Sequence, residues 1–528
     1  MKVYTSCYFA GYLIVNCILS GCSTEKEDAR PNILLIMVDD MGFSDPGCYG
    51  GEIHTPNIDR LAENGIRFTR FYNTAKSFPS RACLLTGQYA QHVGMGEKAL
   101  SFTNAVTIAE VLKMDGYRTL MTGKHHGDEN PVNFGFDRYF GLKDGCCNYF
   151  NPGFPRNGEP PPAHKRGSFP REWCIDSILY KPYTPEEKDF YTTDYFTNYA
   201  ISYLEEYKNE NKPFFLYLSY TAPHDPLMAW PEDINKYLGM YMGGYDSIRL
   251  ARFESQKSIG LIDDRFPLSD PTYEEWNLLT REEKLVRDSI MATFAAMIDR
   301  VDQNIGRILD KLEELNKSDN TIILFMSDNG AQAYAETEKW LWAATKVSDP
   351  SQPVGSVGRF TSLNLSWANV SNTPFRLYKG NSHEGGISTP LIIYWKGKIS
   401  KPGRISDYPS HLIDIMPTLL EITGSEYPAM FENEKINPMD GISLLQILYD
   451  RFPERIEPIF WQWQDGKAIR KDNWKLVSDN NGPWELYDMS EDQTETSNLI
   501  IKYPEVAGEL KSAWERWITT ATGKHMSP

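Results

Sequence analysis

The chain has 528 residues, 71 of them acidic and 54 Lys or Arg, for a formal net charge of −17. That balance, with no basic tract, excludes a nucleic-acid partner. The length is far more than one core needs, so two or three structural units are expected.

Residues 1–21 carry Lys2 and an apolar run from Tyr8 to Leu19. The run is too short to span a bilayer but suits a secretion signal. It ends in Leu19-Ser20-Gly21-Cys22, small residues directly before a cysteine, which resembles a bacterial lipobox with Cys22 as the lipidated first mature residue. Residues 22–30 then read as a polar tether, and the expectation is a bacterial lipoprotein, periplasmic or on the cell-surface side of the outer membrane, held there by acyl chains. Five cysteines remain after this front part: Cys48, Cys83, Cys146, Cys147 and Cys174. An odd set cannot all pair internally, and no zinc-ligand spacing appears.

Strand-like and helix-like stretches alternate from Pro31 onward. NILLIMVDD (residues 32–40), GYRTLMTGKHHG (116–127), PFFLYLSYTAPHDP (213–226), TIILFMSDNG (321–330) and PLIIYWKG (390–397) are runs that are apolar throughout, as strands buried on both faces of a parallel sheet require. TPNIDRLAENG, from Thr55, predicts a helix with Thr55 as cap and Gly65 as stop. Residues 289–315 place Met291, Phe294, Met297, Ile298, Val301, Ile305, Ile308 and Leu312 at helical spacing. The fold class is α/β, a large mixed or mostly parallel sheet sandwiched by helices. Residues 148–180 and 235–275, rich in Pro, Gly and aromatics, read as long surface insertions. From about Asp440 short strand-like runs precede an amphipathic helix through Leu510, Trp514 and Trp517, so the division predicted is a body over 31–439 and a smaller unit over 440–528.

Chemistry gathers at the predicted strand ends, where open α/β sheets bind ligands. Those ends carry Asp39 and Asp40, Asp328 and Asn329, then Lys124, His126 and His224. Four oxygen-bearing side chains, Asp39, Asp40, Asp328 and Asn329, converging without Cys or His suit a hard cation, calcium or magnesium, and the added cations suit an anion that bridges metal and base cluster. SFPSRACLLTG (residues 77–87) predicts a helix with Pro79 in its first turn and Gly87 past its end. Ser77 then lies at a helix N-terminus, where an anion is favoured, with Arg81 one turn on. A plain capping serine is the other reading of this stretch.

The ordered set Pro31–Gly42, HTPNIDRLAENGIRF, Ser77–Gly87, GYRTLMTGKHH, APHDP, SDNG, NTPFRLYKGNSHEGGISTP and ELYD resembles the type I sulfatases of the alkaline phosphatase superfamily, in particular the bacterial arylsulfatase branch. The resemblance implies that Ser77 is oxidised to formylglycine, 3-oxoalanine, by an anaerobic maturase. Its hydrate offers two hydroxyls on one carbon, one to attack sulfur and one to expel sulfate afterwards. It further implies that Asp39, Asp40, Asp328, Asn329 and an oxygen of residue 77 hold calcium, ahead of magnesium. Arg81 steadies the diol, Lys124 and Lys379 grip sulfate, His126 takes the diol proton and His224 protonates the leaving alcohol. His125 stands where the family often has Trp, and His383 lies nearby. By the same resemblance the C-terminal unit is a four-stranded antiparallel sheet with a helix. The expected substrate is a sulfated glycan, galactose-type sulfates first. The alternatives are small aryl sulfates, a phosphatase or phosphodiesterase using unmodified Ser77, and a glycan-binding protein without catalysis.

Overall fold

The computed structural model describes residues 30–164, 171–334 and 347–522, together with Met1 and Val3. The signal segment, Cys22 and most of the tether lie outside these residues. No helix among the described residues is long and apolar enough to cross a membrane.

Among the described residues, eighteen strands fall into four sheets. In chain order the main sheet takes β1 (Asn32–Asp39), β2 (Ile66–Phe68), β4 (Arg118–Gly123), β5 (Arg138–Leu142), β6 (Trp173–Ile175), β7 (Ile178–Tyr180), β8 (Phe214–Pro223), β9 (Thr321–Ser327), β10 (Leu391–Trp395) and β11 (Arg404–Ser406). Two short pairs stand apart: β3 (Phe71–Tyr72) with β12 (Ser410–His411), and β13 (Met430–Phe431) with β14 (Glu434–Lys435). The spatial order of the main sheet is β11-β2-β10-β9-β1-β8-β4-β5-β6-β7. Its centre, β9-β1-β8-β4-β5, is parallel throughout. The fifth apolar run, β10, pairs antiparallel with β9, which makes the sheet mixed.

The apolar runs are explained by burial on both faces. Along β1, Leu34, Ile36 and Val38 enter one core while Ile33, Leu35 and Met37 enter the other. The first core is covered by the helices Pro56–Glu63, Thr192–Glu206 and Arg281–Glu314, the second by Ser77–Thr86, Ile108–Met114 and Ile415–Thr423. Every apolar residue predicted for the long helix is buried, and the helix starts earlier than predicted, at a capping box between Thr280 and Glu283. All five cysteines are buried and free.

Two expectations need correction. Thr55 does not cap its helix with its side chain; Asp302 of the long helix does so from outside, accepting the amides of Asn57 and Ile58 at 3.0 and 2.8 Å. Gly65 lies just past the helix end, as a stop glycine should, and a side chain there would strike the Ile393 carbonyl of β10. The presumed insertions are partly built into the body. Residues 173–180 are the edge strands β6 and β7, and helix Tyr245–Ser258 buries Arg249, Arg252, Phe253 and Gln256.

The C-terminal unit is the antiparallel sheet β15 (Ile459–Trp463), β16 (Gly466–Lys471), β17 (Trp474–Ser478) and β18 (Glu485–Asp488) with helix Pro504–Thr522. One face of the sheet takes Leu510, Trp514 and Ile518 of that helix. The other packs Trp461, Ala468 and Val477 onto Tyr72, Ala75 and Ile387 of the body.

Candidate active site

Register decides where the polar side chains go. Met37 lies beside Ser219 of β8, Ser219 beside Gly123 of β4, and Val38 beside Ser327 of β9, so these strands end at one level. The residues that follow, Asp39 and Asp40, Lys124, His224, Asp328 and Asn329, therefore emerge together. Gly123 permits this crowding. It has a φ of 105°, and a Cβ there would fall on the Ser219 carbonyl.

Helix Ser77–Thr86 brings Ser77 into the same place. The helix cap is Lys76, with no side-chain bond, so Ser77 is not spent on capping. Its Oγ lies 3.2 Å from Asp39 Oδ1 and 3.1 Å from Asn329 Oδ1, and it accepts from Lys379 Nζ at 3.3 Å. Arg81, on the same face one turn later, donates Nη2 and Nε to Asp328 Oδ2 at 2.8 and 3.1 Å and Nη1 to the Lys124 carbonyl at 3.2 Å.

Three carboxylates thus meet three cations in a dry site. Lys124 pairs with Asp39, Lys379 with Asp40 and Arg81 with Asp328. Asp39, Asp40 and Asp328 are each no more than 1% exposed. Burial alone would raise the Asp39 carboxyl, but the charges of Lys124, His224, Arg81 and Lys379 hold it well below the usual carboxylate range. Asp328 goes the other way, to about 6, because burial and the Asp39 charge outweigh Arg81. Burial draws Lys124 down, while Asp40 and Asp39 hold Lys379 up against its own burial.

The donor set fits a hard cation. Asp40 Oδ2 is buried without a hydrogen-bond partner, and Asp39, Asp40 and His224 offer ligand atoms all within 4.8 Å of one another. Asn329 adds an amide oxygen. Asp328 is also engaged within the protein: Arg81 holds one of its oxygens and the Asp40 amide lies 3.3 Å from the other.

The two histidines stand on opposite sides. His224 Nε2 is 3.6 Å from Asp40 Oδ2, and its Nδ1 faces Asp225 Oδ1 at 2.9 Å and the Asp225 carbonyl at 2.6 Å. Asp225 is in turn fixed by Ser362 Oγ at 2.8 Å, an orienting role that the APHDP motif alone did not disclose. The His126 ring meets Phe78 edge-on at 5.7 Å, and its Nδ1 has no partner. Burial, with the charges of Lys124 and Arg81, holds His126 well below its ordinary value, so the ring is neutral. His125 points elsewhere, into an aromatic pocket with Phe102 and Phe134, where burial takes it to about 3.

A hydroxyl held among carboxylates, cations and two imidazoles defines the class: an enzyme shaped to bring an anionic ester against residue 77. Comparison with known proteins carries this further. A model of the sulfatase family matches residues 31–425, and one for the C-terminal region of N-sulphoglucosamine sulphohydrolase matches residues 378–519. The chain is 33% identical over 464 residues to the arylsulfatase of Klebsiella aerogenes, which spans 84% of this chain and 97% of that one. It is 27% identical to the N-acetylglucosamine-6-O-sulfatase of Bacteroides thetaiotaomicron, over 92% of this chain and 85% of that one. The crystal structure of Ps i-CgsB in complex with k-i-k-neocarrahexaose matches with a TM-score of 0.66 at 25% identity, covering 93% of each chain. The chain belongs to the sulfatase family, as a type I sulfatase, and it is a sulfuric ester hydrolase.

His383 lies in a second charged cluster behind Lys379. Its Nδ1 faces Asp479 Oδ2 at 2.6 Å and its Nε2 faces Glu485 Oε2 at 3.0 Å. Carboxylate oxygens accept, so both ring nitrogens must carry hydrogen and the ring is an imidazolium. Burial opposes that charge, but Glu495, Asp479 and Glu485 raise His383 from 6.5 to about 9, against the nearby Arg376. The pairing therefore stabilises the fold fully below pH about 6.5 and is lost as pH rises through about 9, a loss of about 3 kcal/mol. Urea unfolding of the wild type is expected to show this decline between pH 7 and 9.5, and His383→Gln to be less stable at pH 7 with a flatter profile. A His383→Gln profile parallel to wild type would contradict the pairing.

Proposed function

We propose that the protein removes sulfate from a sulfated carbohydrate, galactose-type glycan sulfates first, with Ser77 matured to formylglycine by an anaerobic maturase. The observation that carries this reading is the position of Ser77 Oγ, released from capping and set against Asp39, Asn329 and Lys379. The hydrated aldehyde would supply a second hydroxyl on the attacking carbon, which an unmodified serine lacks.

Asp39, Asp40, Asp328 and Asn329, with an oxygen of residue 77, would hold calcium, whose charge offsets that of the ester. Lys124 and Lys379 bind sulfate oxygens, and Arg81 keeps residue 77 and Asp328 in place. Neutral His126 receives the proton of the attacking hydroxyl. His224, oriented by Asp225, delivers one to the leaving oxygen. The carbohydrate sulfatase of Bacteroides thetaiotaomicron supports a sugar substrate; the greater identity to the Klebsiella arylsulfatase favours a second reading, small aryl sulfates. The sequence of the first 22 residues supports export as a lipoprotein anchored through Cys22.

His224 is expected to matter most where the leaving group needs a proton. His224→Ala should cost about 10²–10⁴-fold in kcat on a sulfated sugar and far less on a nitrophenyl sulfate, whereas Lys379→Ala should harm both alike. Equal losses for His224→Ala would remove it as the acid. Calcium is expected to raise the Tm of the wild type and to have no such effect on Asp328→Ala; a chelator that alters neither Tm nor activity would refute the metal assignment.

A further inference from the structure

The loop that carries His224 is held by its backbone from two sides. Before the ring, the hydroxyl of Tyr149 lies 2.6 Å from the Thr221 carbonyl and 2.8 Å from the His224 carbonyl. After it, the chain runs beside residues 355–361. The Leu227 amide donates to the Thr361 carbonyl at 2.8 Å, and the Ala229 amide to the Gly355 carbonyl at 3.2 Å. These bonds place the loop, but they do not fix the rotation of the imidazole. Where Nε2 points depends on what faces Nδ1.

Asp225 faces Nδ1, through Oδ1 at 2.9 Å and its own carbonyl at 2.6 Å. Both oxygens accept, so Nδ1 carries a hydrogen and Nε2 is the nitrogen turned towards Asp40. The other carboxyl oxygen of Asp225 takes donors from two further segments. Ser362 Oγ, two residues ahead of helix Asn364–Ser371, donates to Oδ2 at 2.8 Å. Gln332 Nε2, three residues past Asn329, donates to the same oxygen at 3.4 Å. Gln332 turns its nitrogen and not its oxygen to Asp225, since two acceptors repel. Its Oε1 is left buried with no hydrogen-bond partner among the described residues. Asp225, Ser362 and Gln332 are each no more than 3% exposed, so water does not compete for these bonds. Leaving a buried acceptor unpaired is costly, and here the amide does so while donating to one carboxylate.

We infer that Ser362 and Gln332 are positioning residues, which act through Asp225 on the aim of His224 Nε2 and so set which leaving groups the enzyme can expel. The inference rests on the reading of His224 as the acid and deepens it. In that step sulfur bonds to the oxygen of residue 77, whose proton passes to His126, and the bond from sulfur to the leaving oxygen breaks. The electron pair stays on the leaving oxygen, which takes the proton of Nε2. A sugar alkoxide or a plain phenoxide is basic and needs that proton; a nitrophenolate leaves almost without it. Proton transfer depends steeply on distance and angle, so a loosened Asp225 slows the first kind of substrate and spares the second.

The test is kcat of the mature enzyme and its variants on two substrates, at a temperature well below every Tm. One has a leaving group that needs the proton, a sulfated galactose or, if no sugar is hydrolysed, phenyl sulfate; the other is nitrophenyl sulfate. Ser362→Ala and Gln332→Leu are each expected to lower kcat about 10-fold on the first, equal to about 1.4 kcal/mol, and less than about 2-fold on the second. In the His224→Ala background, where no acid is left to aim, either substitution should cost nothing further on either substrate. If Ser362→Ala fails to fold, Gln332→Leu carries the same test. Equal losses on the two substrates, no loss on the first, or an undiminished loss in the His224→Ala background would overturn the positioning role, while a split shown by His224→Ala itself would leave the acid reading intact. Equal losses for His224→Ala would instead overturn the acid reading, and the positioning role with it.

Discussion

Burying a charge is tolerable only when it is paired, and the centre of this protein buries six. Asp39, Asp40 and Asp328 balance Lys124, Lys379 and Arg81 at the carboxyl ends of four parallel strands and their neighbouring segments. An uncompensated partner in so dry a place would be strongly destabilising. The pairing therefore fixes where β1, β4, β8 and β9 must end relative to one another, and it fixes the helix of Ser77, since Arg81 is the cation of that helix. In the proposed reaction the groups that balance the acids are also those that would meet an anionic ester, so folding and ligand recognition would draw on one set of charges.

The second structural unit acts on that set through the segment that carries Lys379. Five residues on, Glu384 shares the buried amine of Lys475 with Glu495, at 2.8 and 2.7 Å. Between them His383 is held by Asp479 and Glu485. On the other flank Trp461 Nε1 donates to the Asn73 carbonyl at 2.7 Å, just ahead of Ser77. The small sheet thus grips both the chain leading to Ser77 and the chain bearing Lys379. The end of its strand β15 also reaches the helix of Ser77, where Trp463 meets Phe78 edge-on.

Much of the centre was legible in the sequence because its signals are local. A strand buried on both faces is apolar along most of its length, as β1, β8 and β9 are, so their ends and the polar residues on those ends could be located without coordinates. Strand direction was not legible in the same way: β10 reads like its parallel neighbours yet runs against them, because burial sets composition and connectivity sets direction. Nor were long-range pairings. The Asp302 cap on the helix after Thr55 crosses 244 residues to Ile58, and His383 finds its carboxylates 96 and 102 residues away. The Pro- and aromatic-rich segments misled because such residues also build edge strands and the inner face of a half-buried helix.

The central claim is that residue 77 is the reacting group and reacts as an aldehyde hydrate. The most direct measurement is the mass of the proteolytic fragment containing Ser77–Arg81, taken from protein purified from an anaerobic host and shown to release sulfate. The account predicts a fragment lighter by two hydrogens than the encoded serine peptide, in a fraction that tracks specific activity between preparations. A fully active preparation in which residue 77 is entirely unmodified serine would contradict it.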